Sequence, residues 1–190
     1  MRISELERND IKKDDVIVVG SKPTKRPEPW KIQNFEVYIS QRGSNIDIGV
    51  FDGNKKIMRA QMIKTHGNVE YDWTPLQGCS MSYIRVAPDY QGRQLGLELY
   101  VTLILKLNWP IYSVESQSSG ARKTWIKIFQ HPKISVYVLN AEDHSCEIPV
   151  VSGQELNLPN ADIYNHGHYS LIAVGSGTPD DNTLKMLIKK

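Results

Sequence analysis

Apolar and polar residues alternate from Phe35 to Ile39 and again at Ile46, Ile48 and Val50. A period of two predicts strands with one buried face. Asp52-Gly53-Asn54 follows with the turn chemistry of a hairpin, and Ile57, Met58, Ala60 and Met62 supply the return strand. Together these runs predict an antiparallel meander. Met81 to Val86 predicts another strand, ended by Pro88, which has no N–H to give a ladder. From Gly92 to Leu107 the period changes. Gln94, Glu98, Thr102 and Lys106 fall on one i, i+4 stripe and almost every other position is apolar, which predicts a helix with a narrow wet edge, packed deeply on a sheet. Asn108 and Pro110 stop it.

Ile111 to Glu115 then predicts a short strand. Ser118 or Ser119 can cap a second helix, which lines up Ala121, Trp125, Ile128 and Phe129 on one face and ends at His131-Pro132. Ile134, Val136 and Val138 alternate, and Tyr169 to Val174 gives a last strand. The stretch from Asn140 to Gly167 is long and turn-rich, as functional or mobile loops are. Asp180 to Lys190 fits a short amphipathic helix. Ahead of the meander, Val16 to Val19 reads as a short buried strand, and Pro23, Pro27 and Pro29 mark a loop. The predicted class is α/β (α+β): a mixed, mostly antiparallel sheet flanked by helices.

Composition bounds the setting more than the chemistry. A chain of 190 residues fits one domain. Within it, residues 1–34 are read as an N-terminal extension and 141–190 as a long loop, the last strand and a tail, on either side of a core, 35–140, whose bounds follow from the family resemblance described below. Lys and Arg number 23 and Asp and Glu 21, a net charge of +2, so no global field recruits nucleic acid or an anionic membrane. The N-terminal residues from Met1 to Arg8 carry no apolar signal core, and the longest apolar stretch, Val101 to Leu107, is broken by Lys106. Two cysteines, Cys79 and Cys146, make no disulfide framework and fit a reducing, cytoplasmic setting. An oligomer is compatible with all of this.

The chemistry concentrates where the Met81–Val86 strand turns into the helix: Ile84-Arg85-Val86-Ala87-Pro88-Asp89-Tyr90-Gln91-Gly92-Arg93-Gln94-Leu95-Gly96-Leu97. A glycine turn opening a helix leaves unpaired N–H groups where the helix dipole favours negative charge, a place for a phosphate or pyrophosphate. Gly92 and Gly96 allow close approach to the main chain, and Arg93 can add a charge-assisted contact. No Gly-Lys-Ser/Thr closes the run, so it is not a P-loop, nor does it have the dinucleotide spacing.

Val86-x-Pro88-x-Tyr90-Gln91-Gly92-x-x-x-Gly96 resembles the acyl-CoA signature of the GNAT superfamily of N-acetyltransferases. The order of elements from about Phe35 to Asn140 resembles that family too. The resemblance implies a cleft for acetyl-CoA or another acyl-CoA between the Met81–Val86 strand and a splayed Ile111–Glu115 strand. It implies that Ile84 and Val86 pair with the pantetheine arm and that amides from Gln91, Gly92, Arg93, Gln94, Leu95, Gly96 and Leu97 hold the pyrophosphate. Gln94 stands where the family has the first glycine of a pair. Trp125 stands where its second helix often carries the tyrosine that protonates the leaving thiolate, and Ser118 near its asparagine. Both belong to the expected cofactor site.

Amine transfer needs a base, or neutral amine from solution, and an acid or water for the thiolate. Glu115 and Ser116 end the strand bordering the expected cleft, and Tyr83 lies on the other strand; these are the candidate catalytic residues. A surface carboxylate and a packed tyrosine are the plainer readings of Glu115 and Tyr83. His66, Glu70 and Asp72 could recruit a basic acceptor. Arg122, Lys123 and Lys127 give the second helix a basic face, either solvated or set against a CoA 3′-phosphate. His144 with Cys146, and His166 with His168, match no zinc spacing, and no metal is expected. Without a basic stripe, Trp30, Trp73, Trp109 and Trp125 read as packing residues rather than base-stacking ones. The expected activity is acyl transfer from acyl-CoA to an amine. The alternative is an inactive or repurposed protein of the same fold that binds a macromolecule.

Overall fold

The computed structural model describes residues 30–65, 74–114, 117–164 and 168–188. The expected Val16–Val19 strand and the proline loop lie outside them, as do Glu115, Ser116, His66, Glu70, Asp72 and His166. The chain runs β1 (Trp30–Ile32), β2 (Phe35–Arg42), β3 (Asn45–Asp52), β4 (Lys55–Thr65), β5 (Gly78–Val86), α1 (Leu95–Lys106), β6 (Ile111–Tyr112) and α2 (Ser119–Phe129). It continues through β7 (Ile134–Asn140), β8 (Ser145–Glu147), β9 (Val150–Ser152), β10 (Glu155–Asn157), β11 (Tyr169–Gly175) and α3 (Pro179–Met186).

Among the described residues nine strands form one sheet in the order β1-β2-β3-β4-β5-β6-β11-β7-β8. The fold is mixed α/β, and its sheet is antiparallel except where β5 meets β6. β2 to β4 form the expected meander, which β5 continues on one side and β1, not foreseen in the sequence, extends on the other; alternation sends Ile46, Ile48 and Val50 of β3 and Met58, Ala60 and Met62 of β4 into the core. α1 lies on that face with Leu95, Leu99, Leu103 and Ile104 buried, and α2 adds Trp125 and Ile128. The other half of the sheet is covered on both faces. Val136, Val138, Leu171 and Ala173 face the core under α1 and α2, while Tyr137, Leu139, Ile172 and Val174 form a second cluster with Leu184 of α3. That double burial explains the unbroken apolar runs of β7 and β11.

The late segment departs from its sequence reading. Between Asn140 and His168 the chain adds β8 to the sheet edge and folds β9 and β10 into a hairpin beside α2. Strands of three residues are too short to show a period, so the sequence reads there only as turns. No helix among the described residues is long and apolar enough to cross a membrane.

Candidate functional site: a wedge between two strands and the turn above it

β5 is held along its length by β4 but touches β6 only at its base, where Cys79 faces Ile111 and Ser80 faces Tyr112. The vertex is tight. The Cys79 N–H donates to the Pro110 carbonyl at 2.9 Å, and a Cβ on Gly78 would stand 2.4 Å from that same oxygen. The Tyr112 hydroxyl pins the incoming chain, donating to Leu76 O at 2.7 Å and accepting from Leu76 N at 3.1 Å. Beyond the vertex the strands part. Ser113 exchanges hydrogen bonds with Leu171 of β11, its N–H to Leu171 O at 2.8 Å and its Oγ accepting from Leu171 N at 2.9 Å. β5 continues from Met81 to Val86 with no strand beside that edge among the described residues. It carries a bulge on the way: Gln61 faces Tyr83 and Met62 faces Met81, so Ser82 is the extra residue. A bulge bends its strand, here where the two strands diverge.

At the open end β5 runs into the glycine turn. The Ala87 N–H extends the ladder to Ile57 O at 2.8 Å, and Pro88–Tyr90 form a single helical turn. Gly92 has φ +79°, and Gln94, the N-cap of α1, has φ 59° and ψ 20°. The sequence did not require a left-handed residue at Gln94; the structure puts one there, so glutamine takes the conformation that glycine holds most cheaply. The helix ladder opens with Glu98 N–H to Gln94 O at 3.0 Å, which leaves the amides of Leu95, Gly96 and Leu97 ahead of it. No side chain caps them. At α2 and α3, by contrast, Ser118 accepts from Ala121 N and Thr178 from Asp181 N. Of the three described α-helices, α1 alone has no side-chain N-cap, and it starts at the turn that β5 runs into.

The expected cofactor residues divide on this frame. Ile84, Val86 and the Gln91–Leu97 turn come together: a Cβ on Gly96 would lie 3.8 Å from Ile84, and Val86 O accepts from the Gln91 amide at 3.4 Å. The Leu95 side chain is buried in the core, so only its backbone faces the turn. Tyr83 neighbours Gln61 across the strands and sits 5.9 Å from the Arg59 guanidinium, on the face away from Ile84 and α1. Trp125 needs correcting: it is 1% exposed and packs against Tyr100 at 5.9 Å, as a core residue with no surface to offer a cofactor. Arg122, 30% exposed at its side chain, is already engaged rather than free for a phosphate. It pairs with Glu155 of β10, donates to Gln117 O at 3.3 Å and lies over the Tyr164 ring at 4.2 Å, while Lys123 and Lys127 are exposed.

The two thiols are buried, and burial pushes Cys79 up to about 11 and Cys146 up to about 12, so neither is a nucleophile at neutral pH. His144 is exposed while Cys146 is buried, and among the described residues no three or more metal-binding side chains gather. Two features of the site left no trace in the sequence reading. The bulge at Ser82 depends on pairing with β4, and the β1–β2 turn is made by Gln33-Asn34, without the glycine that marks such turns.

No protein-family model matches the chain. No curated protein matches it either. Solved structures do. The Bacillus subtilis N-acetyltransferase YlbP, in complex with coenzyme A, is 16% identical with TM-score 0.39, over 70% of this chain and 68% of that one. The ribosomal-protein-S18-alanine N-acetyltransferase from Escherichia coli is 16% identical with TM-score 0.37, over 75% and 76%. An acetyltransferase from the GNAT family of Bacteroides thetaiotaomicron is 13% identical with TM-score 0.37, over 77% and 70%.

Proposed function

We propose that this chain is a divergent GNAT-type N-acyltransferase that takes an acyl group, acetyl in the simplest case, from acyl-CoA to an amine. The observation that carries the reading is the parting of β5 from β6 below an uncapped α1. An acyl-CoA complements both halves of that arrangement. The amides of its pantetheine arm can complete the unpaired edge of β5 around Ile84 and Val86, as an added strand does. Its pyrophosphate can take the free N–H groups between Gly92 and Leu97, with Arg93 beside them. The thioester then reaches toward Ser82, with Ser118 at the start of α2 as a further candidate contact.

In the proposed reaction the neutral amine attacks the thioester carbonyl, the C–S bond of the tetrahedral intermediate breaks, and the acylated amine leaves. One proton goes from the nitrogen to a base and one goes to the departing thiolate. Glu115 is the candidate base, and Ser116 and Tyr83 are the candidate polar contacts to the reacting atoms. Holding amine and thioester together accounts for much of the acceleration in such a transfer, by effective molarities that reach about 10⁵ M or more. The reaction is assigned to the cytoplasm, where acyl-CoA is at hand.

Burial of Trp125 favours a second reading, a fold that binds but does not transfer, because no phenol stands at that position of α2. One experiment separates the two. Purified protein is titrated with acetyl-CoA by calorimetry and then incubated with an amine panel while free thiol is measured. Binding with amine-dependent thiol release supports the enzyme. Binding without release supports the second reading, and no binding at millimolar acetyl-CoA ends both.

A further inference from the structure

Two hairpins grip the glycine turn from outside, and neither belongs to the wedge. The β1–β2 turn places Gln33, at φ 55°, so that its side-chain amide donates to the Arg93 carbonyl at 2.9 Å. Phe35 of β2 meets the Tyr90 ring edge-on at 5.8 Å. From the β3–β4 hairpin, Asp52 accepts from the Tyr90 hydroxyl at 2.8 Å, and Lys55 reaches Asp89 at 3.3 Å and the Tyr90 ring at 5.3 Å. Arg93 itself lies over Tyr90 at 4.8 Å. The Lys55–Asp89 pair is well exposed and contributes little. The Gln33 contact differs from the others in acting on the main chain of the turn.

We infer that Gln33 is a positioning residue for the pyrophosphate cradle, setting the Arg93–Gln94 peptide through its carbonyl. The physical step is short. No peptide in the described chain is cis, and across a trans peptide the C=O and N–H point opposite ways. A carbonyl tethered to the hairpin therefore turns the Gln94 N–H away from it. The left-handed Gln94 next sets the direction in which the α1 amides emerge. Gln94 pays a conformational cost there that glycine would not, so a fixed peptide ahead of it keeps the turn from relaxing. Gln33 touches no ligand on this account; it acts through Arg93 and Gln94.

The inference rests on the acyl-CoA reading, and its test keeps the two apart. CoA is titrated by calorimetry into the wild-type chain and into Gln33→Met, Gln33→Glu and Gln33→Lys, with pantetheine, which lacks the pyrophosphate, as a second ligand. Methionine and glutamate remove the donor, and lysine keeps one. The expected result is a rise in the CoA Kd of about 3- to 10-fold for the first two, the range that one lost hydrogen bond gives. Lysine should recover most of it, the pantetheine Kd should not move, and the free proteins should stay folded, with Tm shifted by no more than the few degrees that one hydrogen bond gives. No CoA binding by the wild type overturns the acyl-CoA reading itself. An unchanged CoA Kd in Gln33→Met, an equal loss for pantetheine, or a loss confined to Gln33→Glu each overturns the positioning role while leaving that reading in place.

Discussion

Gln94 sits at φ 59° with a full side chain, in a region where L-residues lie about 1–2 kcal/mol above the right-handed helix. Gln94→Gly should therefore stabilise the protein, by about 0.5–1 kcal/mol once the added freedom of the unfolded chain is subtracted. Denaturant melts measure this directly, and a loss of stability would show that the glutamine side chain makes contacts that outweigh its backbone strain. Trp125 gives the opposite kind of prediction. As a buried ring against Tyr100 it should cost about 3–5 kcal/mol when cut to alanine and less as phenylalanine. In Trp125→Phe the CoA affinity of the folded protein should stay at the wild-type value. A large fall in affinity without a fall in stability would return Trp125 to the cofactor.

At the scale of elements, two late pieces are tied down by ion pairs, one partly exposed and one with a fully buried carboxylate. Arg122 joins α2 to the β9–β10 hairpin through Glu155 and Tyr164. Arg122→Ala should loosen that hairpin, at a cost of about 1–2 kcal/mol. Faster hydrogen exchange confined to residues 150–158 is the expected readout. α3 is anchored by Asp181, whose side chain is fully buried. Burial alone would raise its carboxyl. The Lys185 ammonium at 2.7 Å, the Tyr137 hydroxyl at 2.5 Å and the Gly177 N–H at 2.7 Å outweigh burial and hold it at about 2, against an ordinary 3.8. A carboxyl lowered on folding adds stability that is whole above its ordinary value and lost as the pH falls from about 4 toward 2, roughly 2 kcal/mol in all. Asp181→Asn should be less stable at neutral pH, and its stability should fall less steeply over that acid window. An unchanged acid limb would mean that another group carries it.

For the whole molecule, a ligand at about 100 times its Kd adds about 2.7 kcal/mol, or a rise of about 5–10 °C in Tm for a chain of this size. CoA should also slow amide exchange along β5 and at the start of α1 ahead of other segments. Uniform protection would point to binding elsewhere. Much of this frame could be read in the sequence, because α1, the meander and the turn between them are local patterns of period and turn chemistry. The splay was expected only through the family resemblance, and no local pattern carried it. It arises because Ser113 pairs with Leu171, which lies 58 residues further on, and no local pattern records that choice. The bulge at Ser82 depends likewise on the register with β4, and the grip of Gln33 spans 60 residues of chain. Within the candidate site, the glycine turn and the helix start that follows it were legible as turn chemistry, whereas the burial of Trp125 was not, because a family position says nothing about which way a side chain turns.

Gly78 at the vertex has a further consequence. With the Pro110 carbonyl 2.4 Å from where a Cβ would stand, the narrow end of the wedge is set by main chain against main chain. Side-chain exchange cannot tighten it; a substitution there can only force the strands apart. On the acyl-transfer reading, selection for longer or shorter acyl groups would have to act further along the wedge, from Ser82 upward, while the angle at its base stays beyond the reach of ordinary sequence drift.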